Sequence, residues 1–303
     1  MPMSQNARAS LPGLLMALAG AIAFSGKAII VKLAYRVGGV DAVSLIMLRM
    51  LFALPLFAGM AWWASRGRPR LAGRDWLGVV GLGVSGYYLA SFLDFAGLQY
   101  ITASLERLIL YLNPTLVMLL GWLLHGKRFS RRQLAGMALS YAGVMLVFGH
   151  EVGFGGHDAA LGALLVFLST ISYAIYLVYS GEMVQRLGSL RLVGLATSVA
   201  CLCCIAQFVL LRPVSSALAV APAIVWLSVL NATLCTAVPV LLVMMAIERM
   251  GAAATAQTGM VGPLATILMG VVVLGEPFTA WIAAGTVLVI AGITVFTRAP
   301  RPA

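Results

Sequence analysis

Charge is scarce in this 303-residue sequence: Asp, Glu, Lys and Arg together make up 10% of it, against about 25% in soluble globular chains. The missing groups are those that a water-facing surface needs. A membrane span takes roughly 20 apolar residues, and ten spans of about 22 with short connections use nearly the whole chain. That excludes a large extramembrane catalytic or nucleic-acid-binding module. Cysteine is sparse as well. Cys201, Cys203, Cys204 and Cys235 all fall inside apolar runs, where small buried hydrophobes are expected instead of a disulfide framework or metal site. With no Walker-type loop, ATP hydrolysis has no support, and no cofactor, metal or catalytic residue is expected. A cleavable signal peptide is not expected either, because the first apolar run is followed by nine more and not by a cleavage site.

What the sequence has in abundance is apolar length: 62% of its residues are hydrophobic. Hydropathy and turn signals divide it into ten segments near residues 11–34, 42–64, 76–93, 101–124, 134–148, 160–179, 192–211, 223–246, 252–274 and 278–296. The fold class expected is an all-α integral membrane protein. The net charge of +11 could point to nucleic acid, but the basic residues sit in short turns between apolar runs, where they report topology. Arg8, the Arg66–Arg74 cluster, the Lys127–Arg132 cluster, Arg186, Arg191, Arg249, Arg298 and Arg301 fall at one side, against Arg36 and Arg212 at the other. The positive-inside rule then places both termini in the cytoplasm, with a connection over 149–159 facing outward.

The two halves repeat. At an offset of 149 residues Gly13 falls on Gly162, Phe24 on Tyr173, Ala103 on Ala252, Pro114 on Pro263, Gly121 on Gly270, Gly136 on Gly285 and Gly143 on Gly292. Between these stretches the offset shifts by one, so that Trp76–Leu77 matches Trp226–Leu227. Each half holds five spans, an odd number, so the second must enter the membrane from the opposite side. Two inverted five-helix repeats are the geometry by which secondary transporters alternate access around a site near the midplane.

The run Pro114…Gly121…Gly126…Phe129…Gly136…Gly143, with its second copy Pro263…Gly270…Gly275-Glu276…Gly285…Gly292, resembles the EamA-type repeat of the drug/metabolite transporter superfamily. The resemblance covers both halves, taken here as units 11–148 and 160–297. It implies a ten-helix carrier of the bacterial inner membrane; the chain as a whole resembles exporters of aromatic amino acids within that superfamily. Where the second copy has Glu276 the first has Lys127, so whatever that acid does occurs only once.

Rise per residue places Lys27 about 24 Å along the first span, Arg49 about 10 Å from the outer end of the second, and Glu106 and Arg107 about 8–9 Å into the fourth. Asp94 stands at the outer mouth of the third. Five charges therefore share one layer, where charge is costly unless paired or hydrated. Three readings stay open: structural pairs such as Lys27–Glu106 or Arg49–Asp94, an outer gate that meets a substrate carboxylate, or a coupling proton on Glu106. A carboxylate beside a cation stays ionised near neutral pH, which counts against the last. The counterparts of Lys27, Arg49, Glu106 and Arg107 at the repeat offset are Tyr176, Ser198, Thr255 and Ala256, all uncharged. Nearer the midplane, Tyr87, Tyr111, Asn113, Pro114, Tyr173, Asn231, Met260 and Pro263 are candidates to hold a flat amphipathic substrate. The two prolines bend their spans and free a carbonyl where the repeats meet. Gln257 and Thr258 are candidates for an inner vestibule.

Two strings mislead. Gly81-Leu-Gly83-Val-Ser-Gly86 matches a dinucleotide fingerprint but follows no strand. Its Ser85 also resembles the nucleophile of an intramembrane serine protease, yet His125, His150 and His157 all lie in connections or at span ends. Close helix packing through small residues accounts for these glycines. The expected function is export of small amphipathic metabolites, amino acids foremost, with hydrophobic drugs or nucleobases as the alternative cargo. A passive membrane scaffold is the third class. The partners expected are an amino-acid-like solute and the lipid bilayer, with no nucleic acid.

Overall fold

The computed structural model describes residues 11–125, 130–250, 255, 258–259 and 261–297. Its membrane helices are α1 (Leu11–Val37), α2 (Ala42–Ser65), α3 (Gly73–Gly97), α4 (Ala103–Leu124), α5 (Arg131–Gly153), α6 (Gly156–Leu187), α7 (Ser189–Leu211), α8 (Pro222–Met250), α9 (Gly262–Leu274) and α10 (Ala280–Thr297). Among the described residues, nine of these are long and apolar enough to cross a membrane and α9 is a shorter apolar helix. The expected start of α9, with Gly126 and Phe129 of the repeat motif, lies outside the described residues.

Local chemistry sets the ends. Asp41 caps α2 by accepting from the Ser44 N–H, and Ser130 and Gln133 form a reciprocal capping box at α5. That box starts α5 three residues before the expected Leu134. The outward connection expected over 149–159 is shorter in fact: helix runs to Gly153 and the chain turns at Gly156, whose φ of +57° suits glycine because it has no Cβ.

The packing is reciprocal in the way an inverted repeat requires. α1 packs on α8 and α9, while α6 packs on α3 through Gly97–Gly162 and a Ser169 Oγ–Ala90 carbonyl bond. Ile101, Leu105 and Ile109 around the head of α4 share an apolar cluster with Ala163 and Val166 of α6. α2 pairs with α7, and α5 with α10. In the last pair, a Cβ on Gly136 would meet the Gly292 carbonyl at 2.6 Å, and one on Gly143 the Gly285 carbonyl at 2.7 Å. The early glycine of α5 thus faces the late one of α10 and the late one faces the early one, so the two helices run antiparallel. In the α2–α7 pair, Asp41 at the start of α2 meets Arg212 just past the end of α7 at 2.5 Å. Partial burial pushes the Asp41 carboxyl up, but hydrogen bonds from Ser44 and Arg212 outweigh it and hold the group below its ordinary range.

Irregular backbone repeats too. α3 contains a π-helical turn at Gly83–Leu89 and α8 one at Thr233–Ala237, the same repeat position once the local shift is allowed for. π turns loosen a helix and re-aim its side chains, and both sit in the middle of their spans. α4 is interrupted at Tyr111–Leu112, after which Asn113–His125 starts afresh with Pro114 in its first turn. Pro263 likewise stands at the first turn of α9. The prolines therefore begin half-helices, where the missing N–H is harmless, and do not kink continuous ones.

Candidate functional site

Four helices of the first repeat bring the charged layer together. Lys27 Nζ of α1 lies 2.6 Å from Asp94 Oδ2 of α3 and 3.6 Å from Glu106 Oε1 of α4. All three are buried, Glu106 completely. Lys27 therefore does approach Glu106, but its hydrogen bond goes to Asp94. The Arg49–Asp94 alternative does not form as an ion pair. Arg49 of α2 instead donates to Thr236 Oγ1 at 3.1 and 3.2 Å and lies over the Phe95 ring. Arg107 donates through Nε to Thr266 Oγ1 of α9 at 2.9 Å. Both arginines thus reach across to threonines of the second repeat. Phe24 of α1 stands between cations, 5.9 Å from Lys27 Nζ and 5.8 Å from Arg107 Cζ.

The second repeat answers with an aromatic cluster. Tyr173 stacks on Tyr176 at 5.4 Å, and Tyr87 meets Tyr176 edge-on at 5.1 Å with the two hydroxyls 3.2 Å apart. Tyr173 and Tyr176 stand at the repeat positions of Phe24 and Lys27. One repeat therefore builds an ion-pair cluster and the other a tyrosine stack from equivalent places. Tyr176 was absent from the binding residues expected; its offset to Lys27 was the signal that pointed to it.

The remaining candidates divide. Tyr111 donates its hydroxyl to the Gly259 carbonyl at 3.4 Å, so a first-repeat tyrosine reaches second-repeat backbone. Asn231 is buried and donates to the Lys27 carbonyl at 3.3 Å, fixing α8 against α1. Asn113 is half-buried with a side-chain oxygen that no donor reaches, Pro114 is exposed and Pro263 buried. Thr258 is half-buried; Gln257 and Met260 lie outside the described residues. Ser85, the protease-like serine, donates to the Gly81 carbonyl of its own helix at 2.9 Å.

Glu276 has a role that composition did not reveal. Its carboxylate accepts from the Ala103 N–H at 2.8 Å and the Ser104 hydroxyl at 3.1 Å, so a second-repeat acid sits on the N-terminus of first-repeat α4, where negative charge is favoured. Glu151 accepts from the Thr102 hydroxyl and its N–H. Lys32 donates to the Ile101 carbonyl at 2.8 Å and the Leu98 carbonyl at 3.3 Å. These contacts tie α1, α4, α5 and the α9–α10 connection together at the arginine-poor end of the bundle.

The EamA-like transporter family pattern matches residues 11–149 and again 160–298. An uncharacterised transporter of Bacillus subtilis (strain 168), YcbK, is 29% identical over 281 residues, covering 89% of this chain and 87% of that protein. An uncharacterised transporter of Archaeoglobus fulgidus is 29% identical over 174 residues, covering 57% of this chain and 58% of its own. A solved crystal structure at 20% identity aligns with a TM-score of 0.60 over 94% of this chain and 96% of that one, a likeness of fold.

Proposed function

The chain belongs to the EamA-like transporter family, and from that premise we propose that it exports small amphipathic metabolites, neutral and aromatic amino acids foremost, by alternating access. In this reading it lies in a bacterial inner membrane with both termini cytoplasmic, the arginine-poor end outward and the units 11–148 and 160–297 rocking on each other. The observation that carries it is the unlike use of equivalent repeat positions: Lys27 joins an ion cluster with Asp94 and Glu106, whereas its counterpart Tyr176 joins a stack with Tyr173 and, across the repeats, Tyr87. In this reading a charged lock closes one mouth, and the half-buried rings of Tyr87 and Tyr173, backed by buried Tyr176, suit a flat ring on the other side. Alternating access needs two packings of similar energy, and the π turns in α3 and α8 supply adjustable backbone beside both clusters.

Purified protein in liposomes is expected to catalyse counterflow of Phe, Trp, Met or Thr above protein-free vesicles. Absence of counterflow with all four removes the amino-acid assignment, and counterflow only with nucleobases or hydrophobic drugs transfers it to those. Alanine at Tyr176 removes both ring contacts of the stack and is expected to weaken Trp more than Thr.

A further inference from the structure

An apolar crevice of about 460 Å³ lies between the end of α1 and the start of α8, walled by Leu33, Val37, Trp226, Leu227 and Leu230. One charged side chain, Arg36, joins them. The volume falls among small-molecule sites, roughly 300–1,000 Å³, but such sites fix a solute with several polar groups. This one has a single cation. It also opens sideways: Trp226 is 69% exposed and Leu230 40%, whereas Ile224, Ser228 and Asn231 on the opposite face of α8 are buried. The crevice therefore faces the acyl chains around the bundle and not a path between the repeats. From Ala223 to Leu230 its wall runs about 10 Å at the rise of a helix, against about 15 Å of hydrocarbon in one leaflet.

Arg36 is exposed in the last turn of α1, at the membrane boundary. Among the described residues no acid pairs with it. Asp41, the next acid along the chain, is held by Arg212, and Lys32 turns away to the Leu98 and Ile101 carbonyls. The other junction of the repeats shows what a partner looks like. There α6 and α3 stand in the places of α1 and α8, and Arg186, one residue past the counterpart of Arg36, meets Asp75 at 2.6 Å. Since Trp76 answers to Trp226, Asp75 answers to Val225. One boundary arginine is neutralised from within the protein, and the other is left for an anion from outside.

We infer that the α1–α8 crevice is a binding site for an anionic phospholipid, its phosphate on the Arg36 guanidinium and one acyl chain along Leu33, Leu227 and Leu230. Arginine holds a phosphate through two parallel N–H bonds, and an exposed tryptophan such as Trp226 suits the headgroup boundary. A net-anionic head such as phosphatidylglycerol is favoured over phosphatidylcholine, whose ammonium meets a like charge there and no acid. Because α1 and α8 come from different halves, the lipid bridges the two repeats. The crevice ends at Leu230, and the next residue, Asn231, donates to the Lys27 carbonyl at 3.3 Å. The lipid thus borders the tie between α1 and α8 beside the charged cluster. The site is independent of which solute is carried.

Trp226 is the reporter. Chains keeping Trp226 alone, or Trp281 alone, are placed in dioleoylphosphatidylcholine vesicles and titrated with phosphatidylglycerol or phosphatidylcholine brominated on the acyl chains, which quench tryptophan on contact. Trp281 stands near the start of α10, at the same end of the bundle and outside the crevice. Trp226 is expected to show about a fivefold preference for the brominated phosphatidylglycerol, the share of one arginine near the membrane surface, and Trp281 none. Arg36→Gln is expected to abolish that preference. So is Val225→Asp, which supplies the acid that Asp75 supplies at the other junction. No preference at Trp226, equal preference at both tryptophans, or a preference that survives Arg36→Gln overturns the site. If the single-tryptophan chains fail to fold, native mass spectrometry of the parent chain and Arg36→Gln decides. Greater retention of phosphatidylglycerol by the parent supports the site, and equal retention overturns it.

Discussion

Gly143→Leu is expected to leave almost no folded protein in the membrane. Even the first atom of the new side chain would lie 2.7 Å from the Gly285 carbonyl and 2.9 Å from Leu288 Cβ and Val289 Cγ2. The first of these is backbone, which cannot turn aside. Overpacking a tight site costs about 1–3 kcal/mol when side chains can yield, and here two helices must separate along their whole seam. Loss of that seam takes the cost well beyond this range, to a large share of a total stability of roughly 5–15 kcal/mol. Gly285→Leu is expected to match it, because a Cβ there collides with Val147 Cγ2 and meets the Gly143 carbonyl at 2.7 Å. Gly149→Leu is the control, since nothing lies within 4 Å of its Cβ position, and it should melt within about 0.5 kcal/mol of the parent. Thermal melting of detergent-purified variants, followed by size-exclusion profile, reads the difference. Equal melting of Gly143→Leu and Gly149→Leu would mean that the α5–α10 seam is not built as described.

Lys27→Glu is expected to abolish transport. It exchanges one cation between two acids for a third acid, and removal of one partner from a buried ion pair costs about 3–5 kcal/mol before any repulsion is counted. The rescue pattern carries the information. Lys27→Glu with Asp94→Lys restores the 2.6 Å contact in reverse and should recover a measurable part of counterflow. The same change with Glu106→Lys exchanges the 3.6 Å neighbours and should recover less. Better rescue through Glu106 would move the lock from α3 to α4.

Most of the architecture was legible in the sequence because membrane burial and repetition are one-dimensional signals. Ten apolar lengths, the one-sided arginines and the Pro114/Pro263 and Gly143/Gly292 registers are all read along the chain. Helix ends were less so. The start of α5 depends on a cap formed by Ser130 and Gln133, which hydropathy does not weigh. In the site, depth could be read and direction could not. Rise per residue placed five charges in one layer, but the azimuth of each helix decided that Lys27 met Asp94 and that Arg49 and Arg107 turned to Thr236 and Thr266. The Glu276 contact with α4 joins residues more than 170 apart, and no local pattern announces it. The repeat offset did hold one unused clue, the Lys27-to-Tyr176 correspondence, which marks the aromatic cluster.

Paired spin labels measure the alternation itself. One pair, at Val37 and Phe278, spans the arginine-poor mouth; the other, at Leu77 and Arg249, spans the opposite one, and all four positions are exposed. On addition of transported amino acid to protein in lipid nanodiscs, the two distance distributions should shift in opposite senses, one mouth narrowing as the other widens. Distances that move together, or stay fixed while counterflow proceeds in parallel samples, would contradict a carrier in which two inverted halves rock around one shared path.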